Sequence, residues 1–192
     1  MRSRKGLNFA RKRRNMSAHV MKEAVSWLAH ITVAVFMAFI LVYFVGMRTG
    51  IIGVSMENTL YSGQQVLVNR LSYLLFGPKE GDIIVFTPNG NRNTHFYVKR
   101  VVATPGDTVC IKDGKLYVNN SIVDYGYDKI MDAGIAESEL TLDSDEYFVM
   151  GDNCNNSEDS RSGNIGPVSR DMIEGKAWFS LGKGVSYSGF IK

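Results

Sequence analysis

Residues 24–47 read AVSWLAHITVAVFMAFILVYFVGM, 24 positions without a charged side chain. As a helix this stretch extends about 36 Å, enough to cross a hydrocarbon core of roughly 30 Å with some tilt. Trp27, Tyr43 and Phe44 stand near its two ends, where aromatic side chains favour the lipid–water boundary. His30 is the one polar interruption and reads as neutral or close to the headgroups. A cleaved leader has an apolar core of only about 7–15 residues and closes on a small-x-small site. Residues 42–50, VYFVGMRTG, offer poor spacing for such a site. The stretch is expected to be a retained membrane anchor.

On either side of it the charge is split. Eight of the 22 Lys/Arg lie in residues 1–23, against Glu23 alone, which leaves 14 basic and 18 acidic residues for the rest. A basic segment before an anchor faces the cytoplasm. The expected plan is a basic cytoplasmic segment (1–23), a single transmembrane helix in the cell membrane (24–47) and an extracytoplasmic domain (48–192). The mildly acidic domain lacks the basic face a nucleic-acid partner requires, and RKRR at 11–14 belongs to the segment flanking the span. Cys110 and Cys154 are too few for a disulfide framework, and their spacing leaves open whether they pair.

Beyond the anchor the period changes. QVLVNRL (65–71), GDIIVF (81–86), HFYVKRVVA (95–103), TVCIKDGKLYVNN (108–120) and DEYFVMGDN (145–153) are short and rich in β-branched and aromatic residues, with turn formers between them. Asp113-Gly114 predicts a two-residue type I′ hairpin. No long segment of helical period follows the anchor, so the domain is expected to be mainly β. Residues 124–139 have weak strand character and read as a surface excursion. LSYLLFGP (71–78) reads first as ordinary core, with an exposed loop dipping into the outer leaflet as the alternative.

Ser55, in GVSMENTL (53–60), lies eight residues after Met47, a reach of at most about 26–29 Å. Any reaction at Ser55 therefore occurs near the outer membrane surface. No Gly-x-Ser-x-Gly elbow is present and no cluster has metal-ligand spacing; a serine nucleophile working with a side-chain base needs neither a metal nor an organic cofactor. His95 is the lone histidine after the anchor and reads as structural. A desolvated lysine can serve as base instead. Lys99 lies among apolar strand residues, and alternation lets one of Lys99 and Arg100 point inward while the other stays wet; taken alone, the same pattern reads first as a surface charge on an edge strand.

Four motifs in order resemble the bacterial type I signal peptidases, which use a Ser–Lys dyad. SMENTL (55–60) is similar to their nucleophile box, and GDIIVF to the strand that follows. YVKRVVATPGD (97–107) resembles their lysine box and GDNCNNSEDSR (151–161) their closing box. Any one motif is weak, but the four together behind an anchor are specific. The resemblance implies a membrane-bound serine endopeptidase that removes signal peptides from secreted preproteins. It assigns Ser55 as nucleophile and Lys99 as general base, with Ser157 orienting the lysine. Asp159 and Arg161 become a supporting ion pair, with Asp152, Asn153 and Ser160 in the same box, while Ile51, Gly53, Met56, Tyr97 and Val98 help line substrate pockets. The implied partners are preproteins, the phospholipid membrane and a secretion translocon.

Some positions depart from the family pattern. Asn58 replaces a usual proline, which is expected to loosen the turn after Ser55. Cys154 and Asn155 replace Arg and Asp, suggesting a divergent paralogue. Gly53 offers no hydroxyl as a second oxyanion donor beside the Ser55 N–H. A soluble self-cleaving Ser–Lys repressor would carry a DNA-reading domain in place of the span. The remaining alternative is a non-catalytic, membrane-tethered assembly chaperone on the same fold.

Overall fold

The computed structural model describes residues 18–90, 95–182 and 188–191. The chain divides into two compact units, Met1–Ile40 and Leu41–Lys192. In the first unit the described residues are all helical, part of α1 (Ala18–Val45). No α1 residue is buried against protein, as expected of an apolar helix whose solvent is lipid. The helix starts six residues before the charge-free stretch, and its composition and length suffice to cross a bilayer.

The second unit is built from antiparallel strands. In chain order they are β1 (Met47–Gly50), β2 (Gln65–Asn69), β3 (Ile83–Phe86), β4 (Tyr97–Ala103), β5 (Thr108–Lys112) and β6 (Lys115–Val118). After these come β7 (Ser121–Ile122), β8 (Leu140–Thr141), β9 (Glu146–Met150), β10 (Val168–Ser169), β11 (Ile173–Leu181) and β12 (Gly189–Phe190). One sheet runs β1-β2-β11-β3-β4-β9-β10, with β12 on β11, and the other runs β7-β6-β5-β8. Besides α1, the one α-helix among the described residues is α2 (Leu71–Leu75). The β5–β6 hairpin turns at Asp113 and Gly114, with φ of 53° and 74°, the left-handed pair that a type I′ turn requires.

The central strands are covered on both faces. Along β3, Ile83 and Val85 join a cluster with Met56, Leu60, Val66 and Val68. Ile84 and Phe86 point into another with Val101, Tyr147 and Val149. A third cluster holds the second sheet against the first, as Val109, Ile111 and Leu116 meet Val102, Phe148 and Met150. Phe86 and Phe148 are wholly enclosed, and cutting either back to alanine would cost about 3–5 kcal/mol.

Three expectations change here. Lys99 and Arg100 are both buried, with 4% and 7% of their surface exposed, because β4 lies between β3 and β9 with layers on both sides. Neither of the two side chains stays wet. The 124–139 stretch is not merely superficial, since Ile130 and Ala136 sit in the third cluster. Residues 71–78 do not form ordinary core. Tyr73 and Pro78 are buried, but Leu74 and Phe76 remain 65% and 66% exposed.

Candidate active site

The chain reaches Ser55 from the end of β1. Ile51 N–H donates to Gln64 O at 2.8 Å and Gly63 N–H to Ile51 O at 2.9 Å, which fixes the approach. Two tight turns follow, closed by Glu57 N–H to Val54 O and Thr59 N–H to Met56 O, each 3.1 Å. Met56 and Leu60 are buried beneath them. Asn58, third residue of the second turn, has φ of 83°, as type II geometry requires. Asparagine tolerates that left-handed conformation, whereas a proline ring holds φ near −65°. The turn is therefore not loosened by Asn58. It is closed by backbone hydrogen bonds in a form that proline at 58 could not adopt.

Lys99 comes from β4, opposite Ile84 of β3. Its Nζ lies 2.7 Å from Ser55 Oγ. A charged Nζ donates to the hydroxyl; a neutral one accepts from it. Burial is the main influence on Lys99 and lowers its pKa from 10.5 to about 8, while Asp159 and Glu158 pull the other way. At pH 7 about one lysine in ten is then neutral. The Ser55 N–H is engaged in no hydrogen bond among the described residues, and so is available to an oxyanion.

The closing segment grips this turn at both ends. Asn153 N–H donates to Ser55 O at 3.0 Å, and Asn153 Nδ2 to Val54 O at 3.1 Å. Asp152 accepts Thr59 Oγ1–H at 2.5 Å and holds Arg100 in a two-point pair at 2.8 and 2.7 Å. Gly151 packs so closely that a Cβ there would collide with Ser55 O and Ser157 Oγ. Asp159 is buried, pairs with Arg161 at 2.8 and 2.9 Å, and accepts Gly151 N–H at 3.0 Å. Arg161 also donates to Cys154 O and Asp132 O. Ser160 Oγ accepts Val149 N–H at 3.0 Å, tying the segment to β9.

Ser157 departs from the expected arrangement. Its Oγ is buried, lies against Gly151 and makes no hydrogen bond among the described residues, so it does not grip Lys99 in this conformation. Asn155 has a part the sequence did not signal. Its amide accepts from Met131 N–H at 3.0 Å and donates to Lys129 O at 3.1 Å. Cys110 and Cys154 are both buried free thiols.

A cleft of about 440 Å³ opens over the Ser55–Lys99 pair. Ile51, Gly53, Met56, Tyr97 and Val98 all line it. So do His95, Phe96, Asn156 and Glu158, which sequence reasoning did not assign to it. Tyr97 Oη donates to Glu158 Oε2 at 3.3 Å, and its ring centroid lies 5.7 Å from Lys99 Nζ. The pattern of alternating side chains signals strand residues such as Val98; nothing local signals Glu158, which lies 61 positions from the tyrosine it meets.

Residues 24–181 match the family model described as signal peptidase, peptidase S26. The chain belongs to the signal peptidase family. It is 34% identical over 148 residues to signal peptidase I P of Bacillus subtilis subsp. natto, covering 72% of this chain and 79% of that protein. Signal peptidase IB of Staphylococcus aureus is 34% identical over 175 residues, covering 82% and 89%. Among solved structures, a signal peptidase I from Enterococcus faecalis V583 is 32% identical with a TM-score of 0.42, over 52% of this chain and 95% of that one. A signal peptidase is a serine endopeptidase, and the apolar α1 fits a membrane-anchored member of the family.

Proposed function

We propose that Ser55 and Lys99 form the catalytic pair with which this signal peptidase removes N-terminal signal peptides from secreted precursors. The observation that carries the reading is the 2.7 Å approach of a buried lysine to a serine at the floor of an open cleft. Neutral Lys99 takes the Ser55 proton as Oγ attacks the scissile carbonyl. The Ser55 N–H donates to the developing oxyanion. Lys99 gives the proton to the leaving amine, and the acyl-enzyme forms. Lys99 then draws a proton from water, the hydroxide equivalent attacks the ester, and Ser55 is restored. The apolar walls beside the pair suit small uncharged side chains ahead of the cleaved bond.

The fold supports the division of labour. The Asp152–Arg100 and Asp159–Arg161 pairs neutralise each other and hold the turn without placing a net charge behind Lys99. With residues 1–23 cytoplasmic, 24–47 in the membrane and 48–192 outside, Ser55 works near the outer surface, where a translocated precursor's apolar segment still lies in lipid. The relatives named above are all signal peptidases, and Asn58 occupies a turn closed by backbone hydrogen bonds, which favours the catalytic reading over a chaperone on the same fold. Detergent-solubilised protein is expected to cleave a signal-peptide substrate, and Ser55→Ala and Lys99→Ala to lose cleavage with the fold intact. Full activity in either variant ends the proposal.

A further inference from the structure

The described residues lining the cleft include only a few side chains that can carry charge: His95, Lys99 and Glu158, with Tyr97 a phenol that burial and Glu158 keep protonated. Lys99 must be neutral to take a proton. The buried carboxylates behind the cleft are each matched, Asp152 by Arg100 and Asp159 by Arg161. Glu158 has no such partner, since no lysine or arginine among the described residues forms an ion pair with it. Among the described residues its side chain has one hydrogen bond, from Tyr97 Oη to Oε2, which leaves Oε1 open. That bond also fixes where the carboxylate stands, because Tyr97 is anchored in β4 two residues before Lys99. Glu158 is exposed, so a substrate side chain can reach it without the cost of burying both charges.

We propose that Glu158 is a specificity-determining residue, drawing into the cleft precursors that carry a lysine or arginine within a few residues of the scissile bond. This rests on the reading of the cleft as the active site. In the working state the carboxylate faces the substrate beside a neutral base, so the cleft there is anionic. A cationic side chain gains the attraction of an exposed ion pair, which corresponds to a preference of about 1.5- to 5-fold over a neutral isostere. An acidic side chain at the same place is disfavoured. The preference weakens with salt, because an exposed pair is screened within about 8–10 Å at ordinary ionic strength.

Glu158 could instead act only through Lys99, whose ammonium form it favours. Such tuning alters all substrates alike, whereas a specificity role alters their ratio. The test uses the full-length protein in detergent and signal-peptide substrates identical except for Lys, Gln or Glu, moved through the three residues on each side of the cleaved bond. The wild type is expected to show a higher kcat/KM for Lys than for Gln at one or more positions, falling toward unity at 1 M salt. Glu158→Gln should abolish the difference and Glu158→Lys should reverse it in favour of Glu. Equal Lys/Gln ratios in the wild type and Glu158→Gln at every position overturn the inference, as does an unreversed order in Glu158→Lys. The same peptides, fluorescently labelled, are titrated onto the Ser55→Ala protein. A charge preference in that binding with no hydrolysis by the wild type would refute the catalytic reading alone. Hydrolysis without a charge preference would refute this inference alone.

Discussion

Replacing Lys99 with methionine separates two consequences of the same burial. The pKa of Lys99 drops from 10.5 to about 8 because the strand removes its ammonium from water. That difference is worth about 3 kcal/mol. A lowered folded-state value means that between about pH 8 and 10.5 the unfolded chain binds the lysine proton and the folded chain does not. Stability therefore rises with pH across this window, and the penalty of the buried charge is fully present below pH 8. Lys99→Met removes the penalty at every pH. Its stability advantage over the wild type should shrink by about 3 kcal/mol between pH 7.5 and 10.5, and all other titrating groups cancel in the comparison. Urea unfolding of both proteins in detergent micelles measures this difference. The wild-type rate carries the same signature: kcat/KM should climb roughly tenfold from pH 7 to pH 9 and then level, following the neutral fraction of a base with a value near 8. A stability difference that stays flat with pH, or a rate that falls over that range, would show that Lys99 is not desolvated and would refute the reasoning.

Other positions make independent demands. Asn58→Gly should keep activity and Asn58→Pro should lose most of it, because only the former fits φ of 83°; equal cleavage rates by the two variants would contradict this turn geometry. Gly151→Ala pushes a methyl group against Ser55 O and Ser157 Oγ, so kcat should fall at least tenfold, about 1.4 kcal/mol, with a circular dichroism spectrum like that of the wild type. Leu74 and Phe76 are exposed apolar groups on an outward-facing segment. In a chain lacking residues 1–40, Leu74→Asp/Phe76→Asp should reduce sedimentation with phospholipid vesicles, and unchanged sedimentation would show that these side chains do not enter lipid.

Much was legible from sequence because it was local. A charge-free run of 24 residues sets its own helix and its own solvent, and α1 covers nearly all of it. The Asp113-Gly114 dipeptide fixes its turn through the φ values these residues accept, and the period-two strands declare a β domain before any contact is known. The order of the four motifs was enough to recognise the family. Side-chain surroundings were a different matter. Alternation shows that Lys99 and Arg100 face opposite ways, but only the position of β4 between two other strands, with layers on both faces, buries both. The 2.7 Å contact of Lys99 with Ser55, the Arg100–Asp152 pair and the Tyr97–Glu158 bond each join residues 44 or more positions apart. The exposure of Leu74 and Phe76, and the burial of Ile130 and Ala136, run against their local patterns for the same reason. Backbone preference travels with the residue and its neighbours, but burial and charge pairing depend on which distant strand the fold lays alongside.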